Sequence, residues 1–194
     1  MIFKNLFYLF KNIMLDIFQL NQNKSKAAGI GLKQKMKGKS AFIVLLTEPC
    51  HFNGNITYIP DRCKAFSGNK DNESPRAAII VHNTLNALKL PEFCDRDIVV
   101  VKVTMGKLTY LLTSMYSDIN KDIGASNIDK VVEYADSKKY KLLICMDANA
   151  HSDLFGPDQN RRGDKLEEVI IRHNLNVENL GMQPTFETVR DGRL

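Results

Sequence analysis

Five residues in this 194-residue chain have side chains suited to work on a phosphate ester: Asn21, Glu48, Tyr116, Asp147 and Asn149. Carboxylates and amides offer hard oxygen donors, the set that suits Mg2+ or Mn2+ and not zinc. A tyrosine hydroxyl can donate a hydrogen bond to a phosphate oxygen. A carboxylate beside a water raises its nucleophilicity, while fixed donors stabilise the charge that grows on the phosphoryl oxygens. Together these types fit metal-assisted phosphoester hydrolysis. In the stretch KLLICMDANAHS, residues 141–152, an apolar run stops at Asp147. Positions two apart on an extended chain face the same way, so Asp147 and Asn149 can share a pocket. Singly, each residue has an ordinary reading: Asn21 as a helix cap, Glu48 as a solvated carboxylate before Pro49, Tyr116 as a strand aromatic, Asp147 and Asn149 as turn formers. As a set at successive strand ends they point to a site, because ligands in layered α/β proteins gather there.

The elements that must position them can be read from periodicity. MLDIFQLN is a candidate opening strand that ends at Asn21. Residues 25–37 read as a helix with Ser25 as N-cap, although Gly29 and Gly31 weaken it. SAFIVLLTE is a near-continuous apolar run, the mark of a strand covered on both faces, and it stops at Glu48-Pro49. Residues 51–75 read as loop with short strands. Three strand signals follow, AAIIVHN, DIVVVKVT and KLTYLLTSMYS, the last two joined by a TMGK turn as an antiparallel pair. Residues 127–139 carry the helical spacing of Ile128, Val131, Val132 and Ala135, with Ser126 as candidate cap. A second such helix is expected from about Lys165 to His173, with a capping-box spacing between Asp164 and Glu167. QPTFETVRDGRL reads as a strand entering a hairpin. Hairpins mixed with intervening helices predict an α/β domain of mixed sheets covered by helices.

The bulk numbers are those of one globular domain: 44% hydrophobic and 25% charged residues, with a net charge of +5 and a pI near 9.0. A basic chain suits a polyanion such as nucleic acid. Lys24, Lys26, Lys33, Lys35, Lys37 and Lys39 concentrate the excess, either as phosphate contacts or as a solvated helix face. Cys50, Cys63, Cys94 and Cys145 are scattered without zinc spacing, which implies a reducing, intracellular setting. Cys145, inside an apolar run, reads as a small core residue. The opening MIFKNLFYLFKNIM is apolar but interrupted by Lys4 and Lys11. It reads as an extension or amphipathic helix (residues 1–14) before a domain at 15–194, and no membrane anchor is expected.

The ordered boxes QLN, LLTEP, PRAAIIV, LLTSMYSD, MDANAHS and QPTF resemble the endonuclease/exonuclease/phosphatase family, and within it the endonuclease domain of non-LTR retrotransposons. Met146 and Ala148 stand where the usual GDFNAHS box has glycine and an aromatic. The resemblance implies a DNase I-like sandwich of two mixed sheets flanked by helices, and Mg2+- or Mn2+-dependent hydrolysis of DNA, with a nuclear location. It implies roles for Glu48 and Asn21 in holding metal, for Tyr116 in positioning the scissile phosphate, for Asp147 in orienting or deprotonating water, and for Asn149 in holding phosphate. Arg76, His151 and Thr185 fall beside motif residues on the DNA side, and Arg76 reads equally as a surface arginine. The family pattern continues with an aspartate strand and a terminal Ser-Asp-His box beyond Leu194. None of His51, His82, His151 or His173 replaces that histidine by motif, so an incomplete domain with little nicking of its own is expected. Two alternatives stay open: a phosphatase of the same fold acting on a small phosphate ester, and a non-catalytic DNA-binding remnant.

Overall fold

Two apolar runs without alternation, Phe42–Thr47 and Ala77–His82, are strands buried along their whole length, which requires cover on both faces. A computed structural model of the chain describes residues 2–4, 15–68, 73–123, 127–154 and 159–178. In chain order the strands are β1 (Ile2–Lys4), β2 (Asp16–Asn21), β3 (Phe42–Thr47), β4 (His51–Phe52), β5 (Asn55–Ile56), β6 (Cys63–Ser67), β7 (Ala77–His82), β8 (Asn86–Lys89), β9 (Ile98–Met105), β10 (Leu108–Tyr116), β11 (Lys141–Asp147) and β12 (Asn176–Val177). The helices are α1 (Lys26–Met36), α2 (Ile128–Lys138) and α3 (Arg161–Arg172). No helix among the described residues is long and apolar enough to cross a membrane.

Two mixed sheets result. One runs β12-β1-β11-β10-β9-β8, the other β2-β3-β7-β6, and β4-β5 is a separate hairpin. Pairing is parallel for β2 with β3 and for β10 with β11, and antiparallel elsewhere. Strand periodicity divides the core. Ile43, Leu45, Ile79 and Val81 face the opposite sheet and join its Val99, Val101, Leu111 and Leu143 in the larger cluster. Their neighbours Phe42, Val44, Leu46 and Ile80 form a second cluster with Leu32 and Met36 of α1. The apolar stripes of α2 and α3 belong to the larger cluster, giving an order of helix, sheet, sheet, helices. Each fully buried aliphatic side chain contributes about 1.5–3 kcal/mol of transfer free energy.

The expected mixed-sheet sandwich is therefore what forms. The helix at residues 25–37 forms with Ser25 Oγ accepting the Ala28 amide at 3.3 Å. The TMGK turn joins β9 to β10 as an antiparallel pair, with Gly106 at φ 58°. Three local expectations change. Residues 2–4 are not helical but pair with β11 as an added strand. A strand that the sequence reading passed over, β8, pairs with β9; its four residues are too few to show a period. The helix expected from Lys165 begins at Arg161, because Asn160 Oδ1 accepts the Gly163 amide at 2.8 Å and is the true cap. Asp164 sits in the first turn, and Glu167 is bonded to Ser152 instead of closing a capping box. Ser126, the expected cap of α2, and the QPTF strand lie outside the described residues.

Candidate active site

Parallel pairing fixes the neighbours at the carboxyl ends of four strands. Asn21 is the register partner of Thr47, so Glu48 follows directly beside it. Tyr116 is the register partner of Asp147. Two bonds tie these pairs across the sandwich: Asn21 Nδ2 donates to Asp147 Oδ2 at 2.7 Å, and Gln19 Nε2 donates to the Met146 carbonyl at 3.3 Å. Deeper in, Ser114 Oγ donates to the Leu46 carbonyl at 2.7 Å. The sheets are thus pinned where the site residues emerge, and Asn21, Glu48, Tyr116 and Asp147 collect at one edge.

The backbone there is held in an uncommon conformation. Glu48 and Asn149 have φ of 45° and 46°, the left-handed region that non-glycine residues seldom adopt. Each such residue costs on the order of 1 kcal/mol and persists only where surrounding bonds over-determine it. For Glu48 those bonds are its amide to the Arg76 carbonyl at 2.9 Å and its carbonyl accepting the Lys24 amide at 2.8 Å. The Glu48 carboxylate has no side-chain hydrogen bond among the described residues and is half-buried. Asn21 Oδ1 accepts the Asn23 amide at 2.7 Å, which orients its amide nitrogen toward Asp147.

Arg76 turns out to be an internal support. Its side chain is 11% exposed. Nε and Nη2 grip both oxygens of Asp97 at 2.6 and 2.7 Å, Nη1 donates to Asp118 at 2.8 Å, and the guanidinium lies over the Tyr116 ring at 4.7 Å. A fork-on-carboxylate pair of this kind fixes geometry as well as charge. The guanidinium is thereby directed at carboxylates instead of outward to a phosphate. Burial opposes ionisation of Asp97, but Arg76 and Lys121 outweigh it and hold its carboxyl below the usual range. The Asn120 amide, and then Arg76, lower the Asp118 carboxyl to about 2. Groups depressed in this way contribute stability above the ordinary value of 3.8, and that contribution is lost as pH falls through the folded value. We expect Asp118→Asn to flatten the loss of stability between about pH 4 and pH 2, as read by urea unfolding at stepped pH. An unchanged acid slope would assign the effect elsewhere.

A residue that the sequence reading missed gathers more bonds than any of these. Arg162, on the first turn of α3, donates from Nε to the Asn149 carbonyl at 3.0 Å and from Nη2 to Ser117 Oγ at 2.8 Å and the Ala148 carbonyl at 3.2 Å. Its Nη1 reaches the carbonyls of Ile119 at 3.2 Å and Lys121 at 2.5 Å. Asn149 Nδ2 in turn donates to the Ser117 carbonyl at 3.0 Å, and the Ser117 amide to the Asp147 carbonyl at 2.8 Å. His151 is exposed, and its backbone bonds Asn160. Thr185 lies outside the described residues.

The family of endonuclease–reverse transcriptase proteins matches residues 110–192, a span that holds Tyr116, Asp147, Asn149 and Arg162. The whole structure is similar to the endonuclease domain of TRAS1, a telomere-specific non-LTR retrotransposon, with a TM-score of 0.71 and 27% identity over 91% of this chain and 78% of that one. The chain is thus similar to retrotransposon endonucleases of the endonuclease/exonuclease/phosphatase family, in sequence over residues 110–192 and in fold over most of its length. A second structural relative, a humanized D. rerio TDP2 carrying 14 mutations, has a TM-score of 0.50 and 12% identity over 71% of this chain and 63% of that one, a likeness of fold alone. No curated protein sequence matches. In this chain the two-sheet frame brings the strand ends together, and the matched span includes the Asp147–Asn149 turn.

Proposed function

We propose that this chain is a DNA phosphodiesterase domain of the retrotransposon endonuclease type, working with Mg2+ or Mn2+. The observation that carries the reading is the Asn21–Asp147 bond across the two sheets; Tyr116 is the register partner of Asp147, and Glu48 follows Thr47, the register partner of Asn21. The donor set fits a hard divalent ion. Among the described residues no group of three His, Cys, Asp or Glu could hold a metal, and Mg2+ needs no such cage, since it is bound through one or two carboxylates and keeps its waters. Glu48 and Asn21 would hold it, with the Asp147 charge facing them across the sheets. When bound, the ion supplies stabilisation of charge at the phosphoryl oxygens.

The remaining work belongs to the chain. Asp147, its Oδ2 engaged by Asn21, accepts the proton of a water in line with the scissile bond. Tyr116, braced from behind by Arg76, donates its hydroxyl to a non-bridging oxygen. Lys24 and Lys26, exposed at the turn that bonds Glu48, give the rim the charge a polyanion needs.

Relaxation of supercoiled plasmid with Mg2+ tests the reaction, with Asp147→Ala as the reference so that a slow absolute rate does not matter. Nicking by the parent and none by the variant supports it; nicking that the variant retains overturns it. For the metal, Glu48→Gln should weaken Mn2+ binding about tenfold or more, because one of the two carboxylate charges beside the ion is lost. Water-proton relaxation during Mn2+ titration reads this, and equal affinity in both proteins would remove Glu48 from the metal's shell.

A further inference from the structure

We infer that Arg162 is a positioning residue for the hydrolytic site: its guanidinium locks the turn carrying Asp147 and Asn149 to the loop that follows Tyr116. The inference rests on the hydrolytic reading only for its kinetic consequence; the lock itself is a matter of geometry. Five acceptors from two separate loops converge on one planar group. Four of them are backbone carbonyls, so the bonds fix main-chain position directly. Two of those carbonyls, Ala148 and Asn149, flank the left-handed backbone of Asn149. The others hold residues 117–121, whose first member bonds both Asp147 and Asn149.

The helix that delivers Arg162 is docked with no slack. A Cβ built on Gly163 would stand 1.7 Å from the His151 carbonyl oxygen, so only glycine lets α3 approach the turn this closely. Asn160 completes the dock: its amide donates to the His151 carbonyl at 3.0 Å, and its side-chain oxygen accepts the His151 amide at 3.3 Å. The guanidinium is uniquely matched to the task. An ammonium carries three donors on a point and cannot span acceptors on two loops, whereas the guanidinium has five donors in a rigid fork. Lysine at this position keeps the charge and loses the lock.

The test compares the parent with Arg162→Lys in two measurements. In protein free of DNA and metal, the side-chain amide resonances of Asn149 should be sharp and dispersed in the parent, and shifted toward random-coil values or broadened in the variant. In plasmid nicking, kcat should fall about 10- to 100-fold with KM changed less than about threefold, since small misplacements of reacting groups act on the transition state while DNA contacts elsewhere persist. Unchanged Asn149 resonances overturn the inference whatever the activity. A rise in KM alone, or a kcat loss that only tracks the folded fraction, overturns it too. Should Arg162→Lys fail to fold, Ser117→Ala removes one acceptor and carries the test: Asn149 resonances that move at an unchanged melting temperature support the lock, and resonances that stay overturn it. A parent that does not nick DNA removes the hydrolytic reading, and the resonance measurement still decides the lock.

Discussion

Asp147→Asn should lower the rate of plasmid nicking by about 10²–10⁴-fold, the range contributed by a positioned general base. The substitution keeps the shape and keeps an oxygen to accept the Asn21 amide now 2.7 Å from Oδ2, so the fold should be unaffected. What disappears is the charge, which in the proposed reaction receives a proton from water and attracts a divalent ion. Because both roles appear at the transition state, kcat and kcat/KM should fall together. The melting temperature should shift by less than a few degrees, since polar changes at a partly exposed strand end are worth within about 0.5 kcal/mol. Nicking within about threefold of the parent would place the base on another residue.

Arg76→Ala should be the most destabilising change near the site, by about 3 kcal/mol in urea unfolding. The loss has three parts. Asp97, 14% exposed, keeps only Lys121 as a cationic partner. Asp118 loses its guanidinium contact. The Tyr116 ring loses the face against which it stacks. Removing one member of a largely buried pair leaves an uncompensated charge, which costs more than the pair contributes. Arg76→Lys should recover only a minor part, because a point charge cannot grip both oxygens of Asp97 and stack on a ring together. A destabilisation below about 1 kcal/mol would mean that solvent replaces the guanidinium freely.

How far the sequence could be read depends on what each residue bonds to. Buried strands announce themselves through apolar runs, so β3, β7, β9, β10 and β11 were legible, and with them the strand ends that carry Glu48, Tyr116 and Asp147. Ser25 was legible as a cap because its partner is three residues away. The place of Arg76 beside a motif is plain in the sequence, but its role is not. Its partners Asp97 and Asp118 stand 21 and 42 positions off, and nothing in one sequence pairs a cation with a distant carboxylate. Arg162 was invisible for a stronger reason: four of its five acceptors are main-chain carbonyls, which every residue possesses. The one local hint was the glycine after it, and a glycine near a helix start reads as flexibility until a neighbour fills the space. The true cap at Asn160 was masked by the similar spacing of Asp164 and Glu167, two polar residues whose bonds run to Gln159 and Ser152 instead.

The bond between Asn21 and Asp147 joins positions 126 apart in the chain. During synthesis the first of these leaves the ribosome long before the second, and the side-chain nitrogen of Asn21 must wait for β11 before it meets its carboxylate. Topologies dominated by such distant pairings form slowly, because the loop must close before the contact rewards it. No early, locally folded species can therefore own this site; it comes into existence with the last steps of sheet docking. An ion that binds between Glu48 and Asp147 would favour only the finished fold, and by mass action would raise its melting temperature as the ion concentration rises. Mg2+ in the cell would then act on the folding equilibrium of this chain as well as on its chemistry.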